Sequence, residues 1–150
     1  MIEVKRTLDI GLILDVLTNE SILDSITEDN EGINSIDIDV INDYWLSICS
    51  DKAVIGVIQF KQMFSNCFDA HIHILPEHRK EHSLNAGKKI IDWCYENIKG
   101  SLLLTYVPEF CVNVINFLNC FDFKMVGALD SAITKNGSKH DLIMLSKRVV

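Results

Sequence analysis

The spacing of hydrophobic and polar residues changes several times along the chain, and each change predicts a new secondary-structure element. Ile2 and Val4 alternate with charged residues as in a strand, and residues 8–17 then carry apolar side chains three and four positions apart, as in a helix. Residues 21–26 predict a second short helix. The acidic, asparagine-rich stretch 27–43 shows only weak periodicity, so the pattern predicts no element there.

Residues 44–75 are rich in β-branched and aromatic side chains, which predicts an antiparallel meander of three strands. Residues 44–49 and 53–64 flank the turn-forming tripeptide Ser50-Asp51-Lys52, a pattern typical of a hairpin. A third strand over residues 68–75 ends at Pro76, because proline cannot donate a hydrogen bond to a continuing strand ladder.

The second half of the chain alternates between helical and extended patterns. From Ser83 apolar residues recur at helical spacing, and Gly100 is the expected stop. Residues 102–107 are almost entirely apolar, which predicts a strand buried on both faces, and residues 111–120 predict a further helix. Residues 123–134 and 140–146 predict a hairpin around Asn136-Gly137. The predicted order is therefore βα(α)βββαβαββ.

Composition places the chain among single-domain proteins and excludes several function classes. A length of 150 residues with 48% hydrophobic content suits one domain, residues 1–150, with one core. The net charge of −7 repels nucleic acid and anionic lipid. No apolar run approaches the roughly 20 residues of a membrane span, and residues 1–10 carry no signal-like apolar run, so we expect a cytoplasmic protein. Five cysteines without a C-x-x-C pair predict neither a disulfide framework nor a zinc ribbon.

A local basic cluster interrupts this acidic background. It comprises His78, Arg79, Lys80, His82, Lys88 and Lys89. Since the helix predicted from Ser83 would direct its free amides and dipole toward these residues, the segment predicts an anion cradle. The alternative is a solvated loop and helix face.

Two segments carry a resemblance to a known superfamily. The sequence AHIHILPEHRK, residues 70–80, is similar to the fourth strand and pyrophosphate-binding turn of the GNAT acyltransferases, with Pro76 and the signature Arg79 in place. Val107-Pro108-Glu109 and the following helix, up to Phe123, resemble that superfamily's fifth strand and fourth helix. The resemblance implies an α/β (α+β) fold: a mixed, mostly antiparallel sheet that splays between strands 4 and 5, with helices on both faces.

Within that superfamily a narrower resemblance is to small GNAT-like proteins of short-tailed phages. It rests on residues 26–29, the His-x-His strand and residues 105–109. It implies a location in the host cytoplasm or in the virion, and a role as a phage structural protein is one alternative that it leaves open.

The resemblance also implies acetyl-CoA (coenzyme A) as the donor and an amine, on a small molecule or a protein, as the acceptor. The residues that it assigns to the coenzyme are Ile72, Ile74, Arg79, Lys80, His82, Ser83, Leu84 and Asn85. The chain departs from the pattern where His82 and Leu84 replace signature glycines, although Gly87 offers a glycine three residues later. Cys111, Leu118 and Asp122 stand where the superfamily has Asn, Tyr and Gly.

Three residues are candidates for the chemistry of acyl transfer, which needs a base for the amine and an acid for the leaving thiolate. His71 and His73 lie two apart on one strand and therefore share a face, so either is a candidate base; the alternative is a half-exposed strand face. Tyr106 is the candidate acid, with core packing as its alternative. The four histidines between His71 and His82 lack a carboxylate or thiol at a recognised spacing, which disfavours a metal site.

Two hypotheses follow from the sequence. The first is a GNAT-type N-acetyltransferase with an altered phosphate turn. The second is a fold retained without catalysis, as an accessory protein in phage particle assembly or host contact. The sequence leaves the acceptor and the oligomeric state open, a homodimer included.

Overall fold

One seven-stranded sheet runs through the protein and carries helices on both faces. The computed structural model describes residues 1–150. The strands are β1 Ile2–Arg6, β2 Tyr44–Ser50, β3 Ala53–Phe64, β4 Cys67–Ile74, β5 Leu102–Pro108, β6 Lys124–Lys135 and β7 Ser138–Arg148. The helices are α1 Ile10–Leu17, α2 Glu20–Ile26, α3 Pro76–Asn97 and α4 Val112–Asn119, with a 3-10 turn at Ile33–Ser35. None of these helices combines the length and the apolar character that crossing a bilayer requires.

The sheet order is β1-β2-β3-β4-β5-β7-β6, in which β4 and β5 are parallel and every other neighbouring pair is antiparallel. The order of the strands and the four helices along the chain is the one that the sequence predicted, and the mixed, mostly antiparallel sheet with helices on both faces is confirmed. The helix α3 is the crossover that a parallel β4–β5 pair requires.

Each face of the sheet has its own apolar core. The larger core packs α3 and α4 on residues of β2 to β5, with Phe60, Phe68 and Leu103 buried at its centre. The smaller core packs α1 and α2 on Trp45 and Val57. Because side chains alternate across a strand, the even-numbered residues of β4 enter the larger core and its odd-numbered residues face α1 and α2.

The strands β4 and β5 separate soon after they meet. They pair only over Cys67, Phe68 and Asp69, opposite Leu102, Leu103 and Leu104. Beyond Asp69, β4 stays paired to β3 as far as Ile74, while β5 turns away and pairs with β7. The predicted splay between strands 4 and 5 is therefore present, and we call this gap the fork.

The predicted start of the long helix at Ser83 is wrong, because α3 begins at Pro76. Proline is common at the first helical position. Its φ is already that of a helix, and an N–H at this position would have no acceptor within the helix. No glycine follows until Gly87, so nothing interrupts the helix across residues 79–85. Gly87 does not form a turn: a Cβ there would lie 2.2 Å from Cζ of Phe121, so this glycine lets the segment after α4 pack on α3.

The stretch 27–43, for which no element was predicted, is held by polar contacts to the tip of the β6–β7 hairpin. Asp29 accepts hydrogen bonds from the backbone N–H groups of Asn136 and Gly137, both at 2.8 Å, and Glu28 Oε1 accepts one from Thr134 at 2.8 Å. The Lys135 ammonium donates to the Thr27 carbonyl at 2.8 Å. We call this set of contacts the hairpin latch.

Candidate functional site

A cavity of about 580 Å³ lies at the fork. It opens mainly on the face that carries α1 and α2 and also reaches the start of α4 on the other face. Its walls come from β4 and β5, the start of α4, the segment after α2, and the latched end of the β6–β7 hairpin. The residues of the sheet that line it are Trp45, Gln59, Ala70, His71, Ile72, His73, Thr105, Tyr106, Val107, Pro108, Ile133, Thr134, Lys135 and Leu142. All three candidate catalytic residues therefore lie on the wall of one cavity.

His71 is paired with a carboxylate that the sequence reasoning did not single out. Its Nε2 lies 2.9 Å from Asp69 Oδ1. The contact does not meet hydrogen-bond geometry, and the buried Oδ1 has no other hydrogen-bond partner. The contact is therefore an ion pair when the His71 ring is protonated. Asp69 is also the last residue of β4 that pairs with β5, which places it at the apex of the fork.

His73 lies on the same face, two residues further along the open part of β4. Burial, followed by the positive charges of His71 and Arg79, lowers the pKa of His73 to about 3. The ring is therefore neutral at physiological pH, and it is a weak base for an amine proton. Of the two candidate bases, the geometry favours His71.

Tyr106 faces the cavity from β5, across the fork from His71. Cys111 also lines the cavity at the start of α4, where burial raises the pKa of its thiol, so the thiol is protonated at neutral pH. Leu118 is buried in the larger core, and Asp122 has a φ of 63°, the left-handed backbone conformation that glycine usually provides.

The residues predicted to bind the coenzyme fall into two groups, the first of which lies at the fork. Ile72 lines the cavity, and Ile74 is the last residue of β4. Arg79 reaches back from α3, and its Nε donates a hydrogen bond to the Ile74 carbonyl at 2.8 Å. The signature arginine thus fixes the junction between the open strand and the helix.

The second group, Lys80, His82, Ser83, Leu84 and Asn85, lies within α3 and does not line the cavity. These residues form one continuous helical stretch in place of the expected phosphate turn. Leu84, whose bulk would block the gap if it pointed inward, is 56% exposed and leaves the fork open.

These observations test how well a coenzyme A thioester fits. A pantetheine arm and its acyl group match the fork, because the β5 side of β4 has no strand partner from Ala70 to Ile74 and the cavity begins there. The diphosphate does not fit the start of α3, because the residues at the signature glycine positions carry side chains and lie inside a helix.

The sequence missed Asp69, Gln59 and the latch. Gln59 stands opposite His71 on β3 and donates a hydrogen bond to the buried Asp43 at 2.8 Å. The signal that could have found Asp69 is its spacing, since residues two apart on a strand share a face, and Asp69 precedes His71 by two. No spacing signal links the latch residues, which are more than 100 positions apart.

The fold is shared with solved acetyltransferases. Spermidine N-acetyltransferase from Vibrio cholerae, solved with CoA and spermine, matches with a TM-score of 0.79 at 16% identity, over 97% of this chain and 94% of that one. Ribosomal-protein-alanine N-acetyltransferase from Brucella melitensis matches with a TM-score of 0.73 at 14% identity, over 97% and 99%. The Salmonella typhimurium protein yncA, solved with its cofactor acetyl-CoA, matches with a TM-score of 0.76 at 12% identity, over 99% and 94%.

These similarities establish the GNAT fold, and the structural neighbours are N-acetyltransferases. A comparison with curated proteins found no match. Residues 4–148 match the family described as "Protein of unknown function (DUF2824)". The chain, which carries an open fork and a cavity on a GNAT fold, therefore belongs to the DUF2824 family.

Proposed function

We propose that this protein is an acyltransferase that moves an acetyl group from a coenzyme A-type thioester to an amine. The observation that carries the proposal is the fork, which opens β4 beyond Asp69 and leads into a cavity lined by His71, His73 and Tyr106. The coenzyme A or acetyl-CoA bound in the neighbouring structures supports the same donor chemistry.

The cavity holds groups for each step of the reaction. The amine must be neutral when it forms a bond to the thioester carbonyl carbon, and His71 is the base that takes its proton. The Asp69 carboxylate, 2.9 Å from the ring, stabilises the positive charge that the ring then acquires. When the carbon–sulfur bond breaks, the sulfur leaves as a thiolate and Tyr106 is the proton donor. Unpaired backbone N–H groups of β4 are the candidate donors to the carbonyl oxygen.

The charge around the cavity suits a basic acceptor. The segment after α2 contributes Glu28, Glu31 and Asp37 to its wall, against one lysine, Lys135. The Lys135 ammonium is held by the latch and by a 3.1 Å contact to Asp24. The remaining negative charge attracts an ammonium group toward His71.

The test combines binding with turnover. Acetyl-CoA is titrated while the melting temperature is followed, and release of free thiol is measured with a panel of primary amines. We expect a saturable rise in melting temperature. We expect His71→Gln to lower turnover by about 100-fold or more while the fold is kept, in line with the loss of a general base.

His140→Gln is the matched control. His140 also pairs with a carboxylate, Glu109 at 3.4 Å, but it lies outside the cavity. Equal turnover in the two variants would contradict the role of His71. A melting temperature that acetyl-CoA does not change would contradict the proposal as a whole.

A second candidate is supported by α3. Because this helix runs without a break through the signature positions, the fold also suits a protein that has kept the GNAT architecture without catalysis. An accessory role in phage particle assembly is the specific form of this alternative. It predicts neither thermal stabilisation by acetyl-CoA nor thiol release with any amine.

A further inference from the structure

We infer that the donor site binds only the pantetheine thioester part of the coenzyme and does not bind its nucleotide diphosphate. Acyl-pantetheine thioesters should therefore bind as tightly as acyl-CoA. The inference rests on the proposed function and defines its donor class. The open fork fits a pantetheine arm, whereas the start of α3 does not fit a diphosphate. The inference follows from this difference.

A diphosphate site at a helix start needs free N–H groups, and α3 offers few. Pro76, the first helical residue, has no N–H. The N–H of His78 already donates to the Leu75 carbonyl at 2.9 Å. Of the first three helical positions, only Glu77 keeps an N–H for an anion.

The charge at this helix start is also unfavourable for a diphosphate. Glu77 places a carboxylate in the first turn, where the helix dipole would otherwise attract an anionic ligand. The Arg79 guanidinium is turned back toward β4, where its Nε donates to the Ile74 carbonyl at 2.8 Å. A diphosphate would therefore meet a carboxylate and an arginine whose Nε is already engaged.

The positions at which glycines would let a diphosphate approach the backbone are blocked in this chain. His82 and Leu84 carry side chains and lie between one and a half and two and a half turns inside α3, where backbone N–H groups donate to carbonyls one turn earlier. A diphosphate at these positions would have to break helical hydrogen bonds, which opposes its binding. The cavity wall offers no free lysine for a diphosphate, since its one lysine is held in the latch.

The test compares three compounds by isothermal titration on the intact protein: acetyl-CoA, acetyl-pantetheine, and adenosine 3′-phosphate 5′-diphosphate, the nucleotide half of the coenzyme. We expect the first two to bind with dissociation constants within about threefold of each other, and the third not to bind. If the protein bound the diphosphate, acetyl-CoA would bind at least about tenfold more tightly than acetyl-pantetheine, which corresponds to roughly 1.4 kcal/mol.

The outcomes separate the inference from the proposed function. Tight binding of acetyl-CoA with weak binding of acetyl-pantetheine would overturn the inference and leave the acyltransferase proposal standing, as would binding of the nucleotide half. If neither thioester binds, both proposals are wrong.

A pair of variants checks the result without measuring activity. Lys80→Ala lies next to the signature Arg79, and Lys88→Ala lies two turns further along the exposed side of α3. We expect both variants to bind acetyl-CoA as the unmodified protein does. A loss of acetyl-CoA affinity in Lys80→Ala alone, with acetyl-pantetheine unaffected, would show a phosphate contact and overturn the inference.

Discussion

Gly56 offers a quantitative test of how the fork is built. It lies on β3 opposite Ile74, where the backbones of β3 and β4 approach closely. A Cβ at Gly56 would lie 2.4 Å from the His73 carbonyl oxygen and 3.0 Å from the Ile74 Cα. Ordinary contacts begin near 3.4 Å, so Gly56→Ala forces the β4 backbone to retreat by roughly 1 Å.

The cost of this retreat can be bounded. Overpacking of this kind lowers the free energy of unfolding by about 1–3 kcal/mol. Alanine also has less conformational freedom than glycine in the unfolded chain, which raises the free energy of unfolding by about 0.4–1 kcal/mol. We therefore expect Gly56→Ala to lose about 1–2 kcal/mol of unfolding free energy. For a chain of this size that corresponds to a fall of roughly 2–8 °C in melting temperature.

Urea denaturation and thermal melts of matched variants give the measurement. Gly32→Ala is the control, because a Cβ there meets no atom within 4 Å and its φ of −162° is extended backbone that any residue adopts. The control should be unchanged or slightly stabilised. Since His73 and Ile74 would move, Gly56→Ala should also weaken binding of acetyl-CoA at the fork. If the two alanine variants unfold at the same urea concentration, the close approach of β3 and β4 is not a constraint and the reasoning is refuted.

Three further predictions concern protonation, the latch and the thiols. Burial lowers the pKa of His73 from its ordinary value of 6.5 to about 3 in the folded protein. Between pH 6.5 and pH 3 the His73 ring is therefore protonated in the unfolded chain and neutral in the folded one. The folded state should therefore lose about 2 kcal/mol between pH 7 and pH 5, and urea titrations of His73→Gln should lack this part of the loss. Asp29→Asn weakens the hairpin latch, so hydrogen exchange at the Gly137 amide should accelerate while the core amides keep their protection. Burial raises the pKa of Cys94 to about 12, so a disulfide reagent should modify the exposed Cys120 at once and Cys94 only on unfolding; early modification of Cys94 would contradict its burial.

The sequence predicted the strands and their order along the chain because the signals that mark a strand are local. Alternation, turn residues and Asn136-Gly137 specify β2 to β4 and the last hairpin, and each lies within a residue or two of its predicted bounds. The splay was implied by the resemblance, and the three-residue ladder between β4 and β5 agrees with it. The start of α3 was misplaced because family spacing suggested a turn where Pro76 and the residues after it favour a helix.

The candidate site was predicted only in part. His71, His73 and Tyr106 were identified from strand periodicity and the resemblance, and they line one cavity. The pairing of Asp69 with His71 depends on side-chain conformation, which spacing alone does not determine. The latch depends on contacts between segments more than 100 residues apart, which no local pattern encodes.

The short ladder between β4 and β5 also divides the sheet along the chain. The strands β1 to β4 come from residues 2–74, whereas β5, β6 and β7 come from residues 102–148, and the two antiparallel groups are joined by only three paired positions on each strand. During synthesis the first group can assemble before the second emerges, and the parallel joint must wait for the α3 crossover. A ligand bound in the fork would then contact both groups of strands and link them. It should therefore make the unfolding of the two groups more cooperative.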